Sequence, residues 1–360
     1  MKLLFVSHTD HSYPTITGGA IRYVNLFPLW EKQSDIQITI LDNSQLLSGE
    51  FYRRLSLSYQ SIDTITFPYP YFLPYKLRLL YHLITAIIMG LFRSRNVDVI
   101  FSDFTPLQLI PAYLISVLNR KKLVVTVQLF DHTSRSLQYK VLKFMLGRAQ
   151  LILCCNPYYL NFISHPNIAI TQYALGSGFR PLPHVSKEYD LCFIGTVENN
   201  RKGIREYVRT AEKLYNNHLI NKTLIITQST AFDYFDSLHP NPQLFVIKHN
   251  LSQEQVNLHL NQSKIFVFPT QAESFGLVIG EALKAGILVV ISNIPELKVW
   301  HNIVYRTDNY YHTTQKLLEN YQTVKKTLKY RLSRNKLLKQ TWSDIAKIEA
   351  NYMFNLSHHN

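Results

Sequence analysis

Short apolar runs alternate with longer stretches of helical spacing along this chain, and they do so in two successive series. In the first series, residues 2–7, 36–41, 98–102, 123–127 and 151–154 read as strands. Residues 20–30 (Ile21, Val24, Phe27), 75–92 and 107–118 carry the helical period. In the second series, 190–194, 223–227, 244–247, 265–268 and 288–292 read as strands. Residues 204–215, 253–260, 276–285 and 308–339 read as largely helical. Short continuous apolar runs suit strands covered on both faces. Strands joined through helices of ten or more residues pair in parallel, because a parallel pair needs a crossover connection. The predicted fold class is therefore α/β, with two Rossmann-like doubly wound domains facing across a cleft. Ligands of such sheets sit at the carboxyl ends of the strands, and a cleft between two domains is the expected active site.

The boundary between the series falls on 176–187. This stretch holds Gly176, Gly178, Pro181 and Pro183 without periodicity, so it reads as a linker. The expected organisation is an N-terminal domain over 1–175, the linker 176–187, a C-terminal domain over 188–340 and a last segment over 341–360. A length of 360 residues fits two domains of about 150 residues each. No internal repeat of fixed period is present.

Composition narrows the class. Apolar residues make up 46% of the chain, with 20 Phe and 23 Tyr, so a disordered or collagen-like chain is excluded. Three cysteines cannot form a disulfide scaffold, and none has zinc-ligand spacing; they read as small buried hydrophobes of a reducing compartment. The longest apolar stretch, 77–92, is interrupted by Arg78, His82 and Thr85 and is shorter than the roughly 20 residues of a spanning helix. No signal peptide is read at the start, so the expected compartment is the cytoplasm. Net charge is +14, which calls for an anionic partner.

The densest chemistry lies between 268 and 286. A strand ends at Phe268, a loop carries Glu273, and a helix begins near Gly276. A helix start offers free backbone N–H groups and a positive dipole end to a diphosphate. Glu281 lies further along that helix, within reach of a sugar hydroxyl. The run Glu273-Ser274-Phe275-Gly276-Leu277, then Glu281, Ala285-Gly286, a strand at 288–292 and Ile294-Pro295-Glu296-Leu297, resembles the retaining glycosyltransferases of family 4, which have the GT-B fold. Their signature is two glutamates with seven residues between them in this setting. The resemblance continues at Phe193-Ile194-Gly195 followed by Arg201-Lys202-Gly203, which is similar to the family's strand–glycine loop and Lys-Gly pair. In the family the lysine holds the donor diphosphate, and the role carries to Lys202, with Arg201 as its helper. The family usually has Arg or Lys directly after the loop glycine; this chain has Thr196.

Gly18-Gly19, between the first strand and first helix, matches the family's loop facing the donor phosphate and the acceptor. The family often has Thr-x-His where this chain has Thr126-Val127-Gln128, with Asp131 and His132 just downstream. Either Gln128 takes over a hydrogen-bonding role, or the loop places His132 in the site; the expectation is that Asp131 and His132 line the cleft. The segment around Trp342 and Tyr352 is similar to the family's returning C-terminal helix.

The resemblance implies transfer of a sugar from a nucleotide-diphosphate donor to a hydroxyl acceptor with retention of configuration. The implied donor-binding residues are Gly18, Gly19, Arg201, Lys202, Ser274, Phe275, Gly276, Leu277 and Glu281; the implied catalytic residues are Glu273, Lys202, Asp131 and His132. No metal or other cofactor is expected, and surface polysaccharide or lipid-linked glycan synthesis is the expected context. Basic clusters at Arg53-Arg54, Lys76/Arg78, Arg93/Arg95, Arg120-Lys121-Lys122 and 325–347, with Tyr69, Tyr71, Phe72 and Tyr75 interleaved, point to peripheral contact with the inner face of an anionic membrane. Three other readings stay open: a nucleotide-sugar epimerase or glycosyl phosphorylase of the same fold, a non-catalytic carbohydrate- or nucleotide-binding scaffold, and, from charge alone, a nucleic-acid binder that no recognition motif supports.

Overall fold

The computed structural model describes residues 1–7, 18–43, 63–67, 70, 72–131, 133–229 and 231–358. The chain divides into two units, one of 1–173 with 341–360, the other of 174–340.

The first unit is built on a seven-stranded sheet with the order β3-β2-β1-β4-β5-β6-β7, every pairing parallel. Its elements are β1 (Lys2–Val6), α1 (Gly18–Ser34), β2 (Gln37–Asn43), β3 (Asp63–Phe67), α2 (Tyr75–Arg93), β4 (Val99–Asp103), α3 (Pro106–Leu118), β5 (Lys122–Val127), α4 (Leu137–Leu146), β6 (Leu151–Cys154) and β7 (Ile168–Ile170). β1 is central: Leu4 pairs with Thr39 on one side and Ile100 on the other. Leu3, Leu4, Phe5 and Val6 are all buried, as an uninterrupted apolar strand requires when both faces are covered. The strand order runs outward from β1 in both directions. With right-handed crossovers, α1 therefore covers one face and α2, α3 and α4 the other. Phe5, Phe27, Trp30 and Phe101 fill the α1 side. Ile100, Leu109, Ile115 and Val125 belong to the core on the α2–α4 side.

The second unit repeats the plan with six parallel strands in the order β10-β9-β8-β11-β12-β13. Its elements are β8 (Tyr189–Ile194), α5 (Ile204–Asn216), β9 (Thr223–Thr227), α6 (Asp233–Asp236), β10 (Phe245–His249), α7 (Gln253–Asn261), β11 (Ser263–Phe268), α8 (Leu277–Lys284), β12 (Leu288–Ser292), β13 (Tyr305–Thr307), α9 (Tyr310–Glu319) and α10 (Tyr321–Arg334). Ser252 and Gln255 close a capping box at the start of α7. The residues read as a linker lie in this unit. Arg180 N donates to Asn257 Oδ1 (3.1 Å) and Leu182 N to Asn261 Oδ1 (2.7 Å), so α7 gives this stretch the hydrogen bonds its irregular backbone needs.

The last helix, α11 (Trp342–His358), belongs to the first unit and packs on α1. A fully buried ion pair joins them: Arg22 of α1 donates to Glu349 of α11, and also to Thr171 Oγ1 (2.9 Å) and the Thr171 carbonyl (3.2 Å). Trp342 packs its ring against Tyr173 at 6.2 Å.

The structure adds β3, β7, β13, α4 and α6 to the elements read from sequence, and it breaks the helical stretch 308–339 at Asn320 into α9 and α10. All three cysteines are buried and free.

Candidate active site in the second unit

The order of the second sheet reverses between β8 and β11. At such a switch point the connections leaving the two carboxyl ends run to opposite faces and open a crevice between them. Here the two loops are 195–203 and 269–276. They are tied together: Gln271 N (3.0 Å) and Thr270 Oγ1 (3.3 Å) both donate to the Arg201 carbonyl. Gly203 sits at the junction with φ +80°, and a Cβ there would lie 1.9 Å from the Pro269 carbonyl oxygen. Only glycine fits such an approach. Gly203→Ala is therefore expected to destabilise the unit by about 2–4 kcal/mol through strain and overpacking. An unchanged denaturant midpoint would show that the loops are not locked at this point.

That lock places Lys202 beside the second loop. Its Nζ donates to Glu273 in an ion pair whose side chains are 23% and 14% exposed. The same ammonium lies 5.7 Å from the centre of the Phe268 ring. The pair is thus partly shielded from water, where a charge interacts more strongly than on an open surface.

The loop then turns into α8. Gly276 takes φ +77° at the N-cap position of the helix and, as glycine, brings no side chain of its own to it. The helix presents its first N–H groups and the positive end of its dipole, the arrangement that receives an anion. Phe275 is buried. Its ring lies 5.0 Å from that of Trp300, and its carbonyl accepts from Trp300 Nε1 (2.6 Å), so this side chain anchors the turn from below. Ser274 and Leu277 are half-buried on either side of it. Glu281 stands one turn into α8. Burial pushes its carboxyl up to about 7, opposed by Lys284. Lys284 itself donates to the Gly176 carbonyl (3.1 Å).

The sign of that shift sets a pH dependence. A carboxyl whose folded value lies above its ordinary 4.5 favours the folded state in its protonated form. The stability it contributes is complete below about 4.5 and is lost as pH rises through about 7. Glu281→Gln is therefore expected to raise the melting temperature more at pH 8 than at pH 5. An equal change at both values would contradict the burial argument.

Thr196, which departs from the family pattern, and Arg201, read as the helper of Lys202, both have defined places. Thr196 Oγ1 lies 3.0 Å from Ser229 Oγ, and Val197 N donates to the same hydroxyl (3.0 Å). Thr196 thus joins the loops after β8 and β9. Arg201 is exposed, and it is its backbone carbonyl that ties the two site loops.

The remaining site residues read from sequence lie in the first unit. Gly18 and Gly19 open α1. Asp131 is exposed and holds a turn, accepting from Thr133 N (3.1 Å), Thr133 Oγ1 (2.7 Å) and Ser134 N (3.1 Å). His132 lies outside the described residues. Gln128 sits in a polar cluster absent from the sequence reading. It donates to Asp103 Oδ1 (2.9 Å) and Tyr23 Oη (3.3 Å) and accepts from the Tyr173 hydroxyl. The Tyr23 hydroxyl donates to Asp103. Burial lifts Asp103 to about 6, with the hydrogen bonds from Tyr23 and Gln128 acting in the other direction. An aspartate in the last position of an apolar strand was the available signal. Among the described residues, no group of three or more His, Cys, Asp or Glu side chains is placed to hold a metal ion.

Residues 178–300 match the family described as glycosyl transferases group 1, a span that contains both site loops and α8. The matched span lies wholly within the second unit. Solved structures extend the likeness to the whole length. Sucrose-phosphate synthase from Thermosynechococcus elongatus aligns with a TM-score of 0.76 at 13% identity, covering 100% of both chains. Anabaena Alr3699/HepE, solved in complex with UDP and glucose, gives 0.71 at 13% identity over 99% of each chain. A putative UDP-N-acetylglucosamine 2-epimerase from Listeria monocytogenes gives 0.64 at 12% identity over 100% of this chain and 97% of its own. At these identities the likeness is one of fold, and the fold is GT-B. Its presence in both a synthase and an epimerase means that the group 1 site, rather than the architecture, must carry the functional argument. A search of curated proteins found no match.

Proposed function

We propose that this protein transfers a sugar from a nucleotide-diphosphate sugar to a hydroxyl acceptor with retention of configuration. The observation that carries the reading is the convergence of Lys202, Glu273 and the glycine-opened start of α8 at the switch point of the second sheet. In this reading the donor diphosphate sits at the N-terminus of α8 and draws the Lys202 ammonium from Glu273. Negative charge grows on the leaving diphosphate as the sugar departs, and a fixed cation and helix dipole stabilise it most at that moment. Glu273, released from its partner, accepts hydrogen bonds from hydroxyls of the sugar. Glu281, on the second turn of α8, accepts from the nucleotide ribose. Front-face attack, with the donor phosphate taking the acceptor proton, gives retention without an enzyme nucleophile. The reaction so written calls for no protein-held metal. A surface polysaccharide or lipid-linked glycan is the proposed acceptor class, with the protein working at the cytoplasmic side.

The test is a thermal-shift panel of UDP, GDP, ADP and CMP with their common sugars, run beside Glu281→Ala. One nucleotide is expected to raise the melting temperature of the native protein and not of the variant, by the mass-action gain of a ligand that binds only the folded state. A shift that survives in Glu281→Ala would remove Glu281 from the donor site. No shift with any nucleotide would remove the donor site itself. A nucleotide sugar interconverted without an acceptor would replace transfer by epimerisation.

A further inference from the structure

We infer that the outer face of α2, α3 and α4 in the first unit is a docking surface for an anionic lipid bilayer. The inference goes beyond sugar transfer and stands without it. α2 and the turn after it form a 22-residue helical stretch, Tyr75–Asn96, long and apolar enough by length and composition to cross a membrane. This differs from the shorter apolar run 77–92, because the helix extends past both ends of it. It does not stand free to span. His82, Ala86 and Gly90 form one stripe buried on the sheet, and a Cβ on Gly90 would lie 2.2 Å from Ile115 of α3. On the opposite side, Leu80, Ile84, Ile88 and Phe92 follow the same helical period and are 48–64% exposed. A surface helix ordinarily carries polar residues on that side.

The apolar face continues onto the neighbouring helices. Asn119, capping α3, donates to the Leu91 carbonyl (2.7 Å), which brings Leu118 beside the end of α2. Tyr113 of α3 and Phe144 of α4 have ring centres 6.5 Å apart. Leu118 and Phe144 are 62% and 54% exposed. An exposed apolar patch of this kind marks an interaction site.

Charge selects the partner. Residues 64–148 contain eleven Lys and Arg against three carboxylates, and α2, α3 and α4 contain no carboxylate. All three aspartates are engaged elsewhere: Asp98 accepts from Lys2 N, Asp103 belongs to the cluster with Tyr23 and Gln128, and Asp131 holds its turn. The cations sit beside the exposed rings. The Arg95 guanidinium lies 5.9 Å from the Phe92 ring, Arg148 5.0 Å from Phe144, and Arg78 5.7 Å from Tyr75. A ring at the acyl boundary with a cation at headgroup level is the pattern of an interfacial helix on anionic lipid. The basic stretch 325–347 lies largely in the second unit, on and after α10, and lacks a comparable apolar face: its one large exposed hydrophobic is Tyr330.

The experiment is flotation of the full chain with phosphatidylglycerol-containing vesicles and with phosphatidylcholine vesicles, at low and high salt. The variants are Ile88→Glu and Phe92→Glu, and separately Arg93→Glu/Arg95→Glu. All four positions are exposed, so the melting temperature is expected to stay unchanged. The native protein is expected to float with anionic vesicles and to bind phosphatidylcholine at least about tenfold less. Each apolar variant is expected to lose about tenfold or more in partitioning, and the charge variant to lose binding selectively at low salt. Absence of flotation with anionic vesicles would overturn the inference. So would equal binding by Ile88→Glu, or a native dimer in light scattering that Ile88→Glu converts to monomer, since the face would then cover a second copy. Nucleotide-induced thermal shifts without vesicles report the donor site separately.

Discussion

Lys202→Ala is expected to lower the rate of sugar transfer by about 10²–10³, chiefly in kcat, with the fold intact. The ammonium lies beside Glu273 and over the Phe268 ring, on backbone fixed by the Gly203 lock, so it is already at the site before a donor binds. On the proposed mechanism the donor diphosphate already has alternatives in the ground state, namely the N–H groups of α8. In the transition state the leaving group gains charge that only a fixed cation within reach can match. The substitution also leaves the Glu273 carboxylate, 14% exposed, without its partner. That costs about 1–3 kcal/mol, too little to unfold a unit of this size. Steady-state kinetics with the nucleotide sugar found in the thermal-shift panel, together with a melting curve, separates the two effects. Lys202→Arg is expected to restore part of the rate, because charge is kept while geometry changes. Full activity in Lys202→Ala would end the diphosphate assignment.

The second large effect is on stability. Arg22 and Glu349 are both 0% exposed, and each is the other's ionic partner. Breaking a buried pair by removing one member leaves a charge that neither water nor a counter-ion can reach. Glu349→Leu or Arg22→Met is expected to cost about 3–5 kcal/mol. At roughly 2–4 °C per kcal/mol for a unit of this size, calorimetry would show the first unit's transition lowered by about 6–20 °C. The double variant Arg22→Met/Glu349→Leu is expected to recover most of the loss, since two apolar side chains of similar volume need no desolvation. A double variant as unstable as the sum of the singles would show that the Thr171 hydrogen bonds, rather than the pair, hold α11 to α1.

Two parallel sheets follow from the order of residues alone. Continuous apolar runs such as Leu3-Leu4-Phe5-Val6 and Ile265-Phe266-Val267-Phe268 can be buried on both faces only inside an α/β layer, and both are central strands here. The family resemblance also singled out Lys202, Glu273 and Gly276, and the structure places them on the two tied loops at the switch point of the second sheet. What escaped the sequence has a physical cause in each case. β7 and β13 are three residues long, too short to show a period, and β3 has only Ile65 and Phe67 buried. α4 carries Lys140 and Lys143 between its apolar residues, which blurs its stripe.

The remaining features arise from contacts between residues far apart in the chain. Asp103 and Gln128 are 25 residues apart, and Tyr23 is further still; parallel pairing of β4 and β5 beside α1 makes them one cluster. Arg22 and Glu349 lie 327 positions apart, and nothing local marks them as partners until α11 returns to α1. The outward stripe of α2 has the same residue types as a core stripe. Which of its two sides meets the sheet was settled by the small residues Ala86 and Gly90, because only that side lets Ile115 approach.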